Sequence, residues 1–167
     1  MFDDARRQSA SQLLNALQSR SMMVATAESC TGGLISALLT EVPGSSAVVE
    51  RAYITYSNEA KMQCLGVPEE MLRTHGAVSE EVARAMATGA LANAAAQAAI
   101  SVTGIAGPGG ETPGKPVGLG HIAAALAGHA TAHRECRFGD IGRAEVRMAT
   151  VDAAIELLMA QLQALDP

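Results

Sequence analysis

The sequence predicts an α/β domain, a three-layer α/β/α sandwich around a mixed five-stranded sheet. Three observations predict it. Helix-like and strand-like segments alternate early in the chain, as in parallel βαβ units. A hairpin pattern comes late and adds antiparallel strands. The length of 167 residues suits one domain, residues 1–167, with a proper core.

The first helix is expected over Ala5 to Ser19, because Ala10, Leu13, Leu14 and Leu17 fall at helical spacing. Asp3 and Asp4 sit where a helix N-terminus favours negative charge. Met22 to Thr26 is a short apolar run read as the first strand. Gly33 to Thr40 reads as the second helix, ended near Pro43-Gly44. Ala47 to Tyr56 is rich in β-formers and reads as the second strand. Ser57 can cap a short helix through Cys64, and Gly66-Val67-Pro68 breaks it. Glu69 to Thr74 is a further short helical turn.

Ser79 caps the next long helix, with Val82, Met86, Gly89, Ala90 and Asn93 on one face. The small residues there allow close packing on a sheet or on a second copy of the chain, so a homodimer is expected. Ala98 to Thr103 is the third strand, and Gly104 to Pro116 is a glycine- and proline-rich loop. Val117 to Leu126 and Ala130 to Phe138 pair as a hairpin across Ala127-Gly128-His129. The last helix spans Gly142 to Leu165, with Val146, Ala149, Ala153, Leu157 and Ala160 inward.

Composition excludes several function classes. Hydrophobic residues are 49% and charged residues 17%, a globular balance and not a disordered one. The net charge of -5 gives no general pull toward nucleic acid, and 2% aromatics leave no platform for stacking bases. Cys30, Cys64 and Cys136 are odd in number without CxxC spacing, so reduced thiols and a cytoplasmic location are expected. The polar start of the chain lacks a signal pattern, and no apolar run reaches membrane-spanning length.

Four segments carry possible chemistry. Thr26 to Gly33 (TAESCTGG) is a strand-to-helix turn of hydroxyls, one thiol and two glycines. Unpaired amides at a helix start favour an oxyanion or a phosphate. Ser29 and Cys30 compete for the role of nucleophile, and a small buried residue is the plainer reading of Cys30. Glu28 reads as a charge favoured by the helix dipole. In Tyr56-Ser57-Asn58-Glu59-Ala60-Lys61, a lysine in a partly dry site could serve as base for Ser29, with Tyr56 relaying or orienting protons. A solvated surface lysine fits the same residues. Thr103 to Gly110 (TGIAGPGG) could wrap an anion with its amides or be a plain crossover loop. Arg143 and Arg147 share a helix face suited to phosphate. His129 and His133 have zinc-like spacing but fall on a hairpin with no third ligand in place, so no metal site is expected.

Taken together, TAESCTGG, TYSNEAK (Thr55 to Lys61), GVPEEML with HGAVSEEVA (Gly66 to Ala83), and TGIAGPGG with KPVG (Thr103 to Gly118) resemble the CinA C-terminal domain family. The match runs in order from about Gln12 to Leu158. The resemblance implies a three-layer sandwich with a mixed sheet. Stand-alone members of the family are nicotinamide-nucleotide amidohydrolases, so it also implies hydrolysis of nicotinamide mononucleotide to nicotinate mononucleotide and ammonia. No metal or organic cofactor is implied. Residue by residue, it carries the serine onto Ser29, the lysine onto Lys61 and the tyrosine onto Tyr56. Substrate contacts are expected from Thr31, Gly32, Gly33, Asn58, Gly104, Ala106, Gly107 and Arg143. The rival reading is a nucleotide-binding accessory domain without catalysis, linked to competence or DNA damage.

Overall fold

The computed structural model describes residues 2–165. Its sheet has the order β2-β1-β3-β4-β5. The strands are β1 (Val24–Glu28), β2 (Val49–Ile54), β3 (Ala98–Gly104), β4 (Leu119–Leu126) and β5 (Ala132–Arg137). β1, β2 and β3 are parallel, while β4 and β5 run antiparallel to their neighbours. The helices are α1 (Asp4–Gln18), α2 (Leu34–Glu41), α3 (Asn58–Leu65), α4 (Glu69–His75), α5 (Glu80–Ala92) and α6 (Arg143–Gln163).

The layers follow from strand alternation, since successive side chains point to opposite faces. Along β3, Ala98, Ile100 and Val102 join the core with α1, α2 and α6. Ala99 packs in the opposite core with Val82 and Met86 of α5. Ser101 keeps that second face by donating to the Ala83 carbonyl of α5 at 2.6 Å. β4 repeats the pattern, with Ile122, Ala124 and Leu126 on the first face and Ala123 and Ala125 on the second. The expected three-layer sandwich with a five-stranded mixed sheet is therefore what the chain forms.

Most expected elements lie within two residues of their predicted bounds. β1 begins at Val24 instead of Met22 and runs on to Glu28, because its pairing with β3 extends to Val102. Ala47, the first residue of the expected second strand, instead closes a 3₁₀ turn, Ser45–Ala47, entered through Gly44 at φ 86°, and β2 begins at Val49. On α6 the inward face is Val146, Thr150, Val151, Ala153, Ala154, Ile155, Leu157, Leu158 and Leu162, so Val146, Ala153 and Leu157 point inward as expected. Ala149 is only half-buried and Ala160 is exposed, so those two inward assignments are corrected.

On α5, Val82, Met86 and Ala90 are buried as expected, but Asn93 is exposed. The small position on that face serves packing inside the chain. A Cβ at Gly89 would lie 1.9 Å from the Leu65 carbonyl oxygen of α3. Gly89→Ala is expected to lower stability by about 2–3 kcal/mol, as overpacking does. Thermal unfolding should show Tm falling by roughly 4–12 °C.

Candidate active site

Parallel pairing fixes where the site forms. Glu28 is paired with Ile54 of β2 and Val102 of β3, so these three strands end at one edge. The segments that follow them meet there, as ligand sites do in open α/β sheets. Ser29 and Thr55 leave the sheet next to the last residues of β3, Thr103 and Gly104. Their loops enclose a cavity of about 420 Å³.

The turn after β1 is organised by Glu28. Its carboxylate is fully buried. One oxygen accepts from the Thr31 hydroxyl at 2.7 Å and from the Gly33 and Ile35 amides at 3.0 Å each. The other accepts from the Ser36 amide at 2.9 Å and the Thr26 hydroxyl at 3.2 Å. The carboxylate thus caps α2 from the preceding strand and neutralises its dipole. Two left-handed glycines, Gly32 and Gly33, bend the chain around it. The turn's outward carbonyls are held by Arg147, which donates to Cys30 at 3.0 Å and to Thr31 at 2.8 Å.

This arrangement corrects one expectation. The Gly33 amide is occupied by Glu28, and the Gly32 amide donates to the Ser29 carbonyl at 3.1 Å. Neither is left for an oxyanion. Thr31 is fully buried, and neither it nor these two glycines lines the cavity. Arg147 does not reach the cavity either, so the shared arginine face divides: Arg147 holds the turn and Arg143 faces the site.

Ser29 and Lys61 do meet. Lys61 sits one turn into α3, whose Ser57 cap accepts from the Ala60 amide at 3.1 Å. The side chain points inward and is 1% exposed. Its Nζ lies 3.0 Å from Ser29 Oγ and 3.0 Å from the Thr55 carbonyl oxygen. Among the described residues Lys61 forms no ion pair. Burial pushes its pKa below the ordinary lysine value, with a small opposing pull from Cys30. A neutral amine against a serine hydroxyl is a general base beside a nucleophile. Cys30 is a poor rival, because burial pushes its thiol up to about 12.

The rest of the wall comes from the other loops. Asn58 lines the cavity from the start of α3. Gly104, Ala106 and Gly107 line it from the glycine-rich loop. Arg143 closes one side, donating to the Gly107 carbonyl at 2.7 Å and to the Tyr56 hydroxyl at 3.0 Å. Tyr56 lines the mouth, is 62% exposed and makes no hydrogen bond to Ser29 or Lys61. Sequence reasoning missed Ala77 and Val78 as lining residues. They are held by the Thr103 hydroxyl, which donates to the Ala77 carbonyl at 2.8 Å. The turn at Gly76 before them was the available signal.

The histidines are arranged otherwise than their spacing suggested. His133 Nε2 lies 3.0 Å from His121 Nδ1, and the two rings stack. His129 is exposed in the hairpin turn. No helix among the described residues is long and apolar enough to cross a membrane.

Comparison with known proteins adds four findings. The sequence pattern of the CinA C-terminal domain matches residues 6–162. The chain is 48% identical to the nicotinamide-nucleotide amidohydrolase PncC of Escherichia coli, covering 96% of this chain and 97% of that one. It is 49% identical over 90% of its length to a protein of Caldicellulosiruptor bescii named for competence and damage induction, but spans only 36% of that longer protein. Among solved structures, the competence/damage inducible protein CihA of Agrobacterium tumefaciens superposes with a TM-score of 0.94 at 50% identity, covering 98% of each chain.

Proposed function

The chain belongs to the CinA C-terminal domain family, and on that premise we propose that it hydrolyses the carboxamide of nicotinamide mononucleotide to nicotinate mononucleotide and ammonia. One observation carries the mechanism: a buried lysine, without an ion pair among the described residues, hydrogen-bonded to a serine in the cavity wall. The full-length relative named as a nicotinamide-nucleotide amidohydrolase supports the substrate.

Lys61, neutral at rest, takes the proton of Ser29 as the serine oxygen attacks the carboxamide carbon. The carbonyl oxygen becomes an oxyanion. Its donor is the amide of Cys30, the residue next to the nucleophile, which makes no hydrogen bond to another of the described residues. Such a donor contributes about 3 kcal/mol in acyl-transfer sites. The Lys61 ammonium then returns its proton to the leaving nitrogen, and ammonia departs. Water, deprotonated by the same amine, attacks the acyl-serine, and the Lys61 ammonium returns that proton to Ser29 Oγ as the nicotinate product leaves. Arg143, with the Ala106 and Gly107 amides, holds the substrate phosphate. Tyr56 orients Arg143 at the mouth.

A nucleotide binder without turnover would need the cavity and Arg143 but not a buried neutral lysine beside a serine. The two are separated by incubating the purified protein with nicotinamide mononucleotide and measuring ammonia. Steady release is expected, and Cys30→Ala should retain it within about threefold, because a thiol protonated at neutral pH takes no part. Tight binding with no ammonia would favour the binder. A dead Cys30→Ala protein beside an active Ser29→Ala protein would transfer the role to the thiol.

A further inference from the structure

Thr55 has a buried hydroxyl that nothing explains so far. The residue is 1% exposed, and its Oγ1 has no hydrogen-bond partner among the described residues. A buried hydroxyl left unpaired is costly and calls for a reason. Its position offers one, because the backbone carbonyl of this same residue accepts from Lys61 Nζ at 3.0 Å. The unpaired hydroxyl therefore belongs to the residue whose carbonyl holds the nitrogen that must change its charge.

The proton count at that nitrogen makes the orphan useful. A neutral amine has two N–H groups and one lone pair. With the Ser29 proton aimed at the lone pair, the Thr55 carbonyl accepts one N–H. Once the proton crosses, the ammonium has three N–H groups to satisfy. Ser29 Oγ, now bonded to the acyl carbon, becomes a weak acceptor. The Thr55 carbonyl still takes one proton, and a further acceptor is needed around a side chain that is only 1% exposed.

We propose that Thr55 is a positioning residue for the base: its carbonyl aims Lys61 Nζ, and its hydroxyl turns about χ1 to accept from the ammonium form. The step moves no atoms between residues beyond the Ser29 proton already assigned to Lys61. The inference rests on the Ser29–Lys61 reading given above.

The other groups around Lys61 do not fill this role. Glu28 is engaged by α2 and by Thr26 and Thr31. Cys30 remains a thiol, and Arg143, Arg147 and Tyr56 are donors or are bound to one another and to carbonyls. On α5, which packs against α3, Glu80 and Arg84 pair with each other, Glu81 faces His75, and Glu80 also faces His133.

The chain offers a clean test, because it has two lysines, Lys61 and Lys115. In a Lys115→Arg background, one Cε signal remains in a protein labelled with carbon-13 lysine, and its pH titration reports Lys61 alone. Thr55→Val keeps the shape and removes the hydroxyl. The Lys61 midpoint is expected to fall by about one pH unit, as loss of a hydrogen bond to the charged form requires. The rising limb of kcat/KM should move down by the same amount, with kcat about tenfold lower. Thr55→Ser should restore the midpoint, the limb and kcat. An unchanged Lys61 midpoint in folded Thr55→Val overturns the proposal, whatever its activity. Absence of ammonia release from the unaltered chain would overturn the amidohydrolase reading instead, and the lysine titration would still decide the role of Thr55.

Discussion

Ser29→Ala is expected to lower ammonia release from nicotinamide mononucleotide by about 10⁴-fold or more, the scale on which removal of a serine nucleophile acts. The loss should fall on kcat. The phosphate contacts proposed for Arg143 and the glycine-rich loop lie on the far wall, so substrate should still bind within a few-fold of the original Kd. Stability should barely change. Ser29 contributes its small side chain to the cavity wall, while its backbone amide, which donates to the Val102 carbonyl at 3.1 Å, survives the substitution. Calorimetric binding with no turnover is therefore the expected result. Full turnover in this variant would remove the serine from the chemistry.

The pH dependence follows from the partner. The active form of Lys61 is the neutral one, so kcat/KM should rise with pH through the Lys61 pKa. Burial sets that pKa below the ordinary lysine value, which moves the rise toward neutral pH.

Glu28→Gln is expected to damage the fold more than any other single exchange of similar size. The carboxylate accepts from three backbone amides and two hydroxyls with no exposure to water. A glutamine offers one acceptor oxygen and turns two N–H groups toward donors. At least one amide of the α2 start is then left buried and unpaired. Losing charge-assisted bonds of this kind costs about 1.5–3 kcal/mol each, and the total should reach about 3–5 kcal/mol. For a chain of this length that means a Tm lower by roughly 6–20 °C. Activity should fall too, because the same turn carries Ser29. Thermal unfolding and ammonia release measured on one preparation would test both. An unchanged Tm would show that Glu28 is not the keystone of the turn.

These cases show what could be read from the residues and what could not. Alternating helix and strand patterns gave the sandwich because period-2 and period-3.6 patterning is local information. Ser29 and Lys61 were legible as residue types at the ends of neighbouring strands, but their contact depends on β1 and β2 pairing in parallel. The fate of the α2 amides was not legible. TAESCTGG shows a row of donors before a helix, yet a carboxylate one residue before the serine takes them. Which acceptor wins is settled by geometry over a few ångströms. The pairing of Tyr56 with Arg143, 87 positions apart in the chain, was equally hidden, since neither the loop after β2 nor the start of α6 has a pattern that names its partner.

The sheet also divides the molecule into a working end and an idle one. Gly104 pairs with Gly120, so Leu126 lies beside Ala98, at the opposite end of β3 from Ser29. The tight turn that follows, around Gly128, therefore projects from the base of the domain, where a Cβ on that glycine would meet nothing within 4 Å. A fluorescent reporter or an immobilisation tether grafted at this turn would stand a full strand length from the cavity. An immobilised or tagged form of the protein should be built from that end.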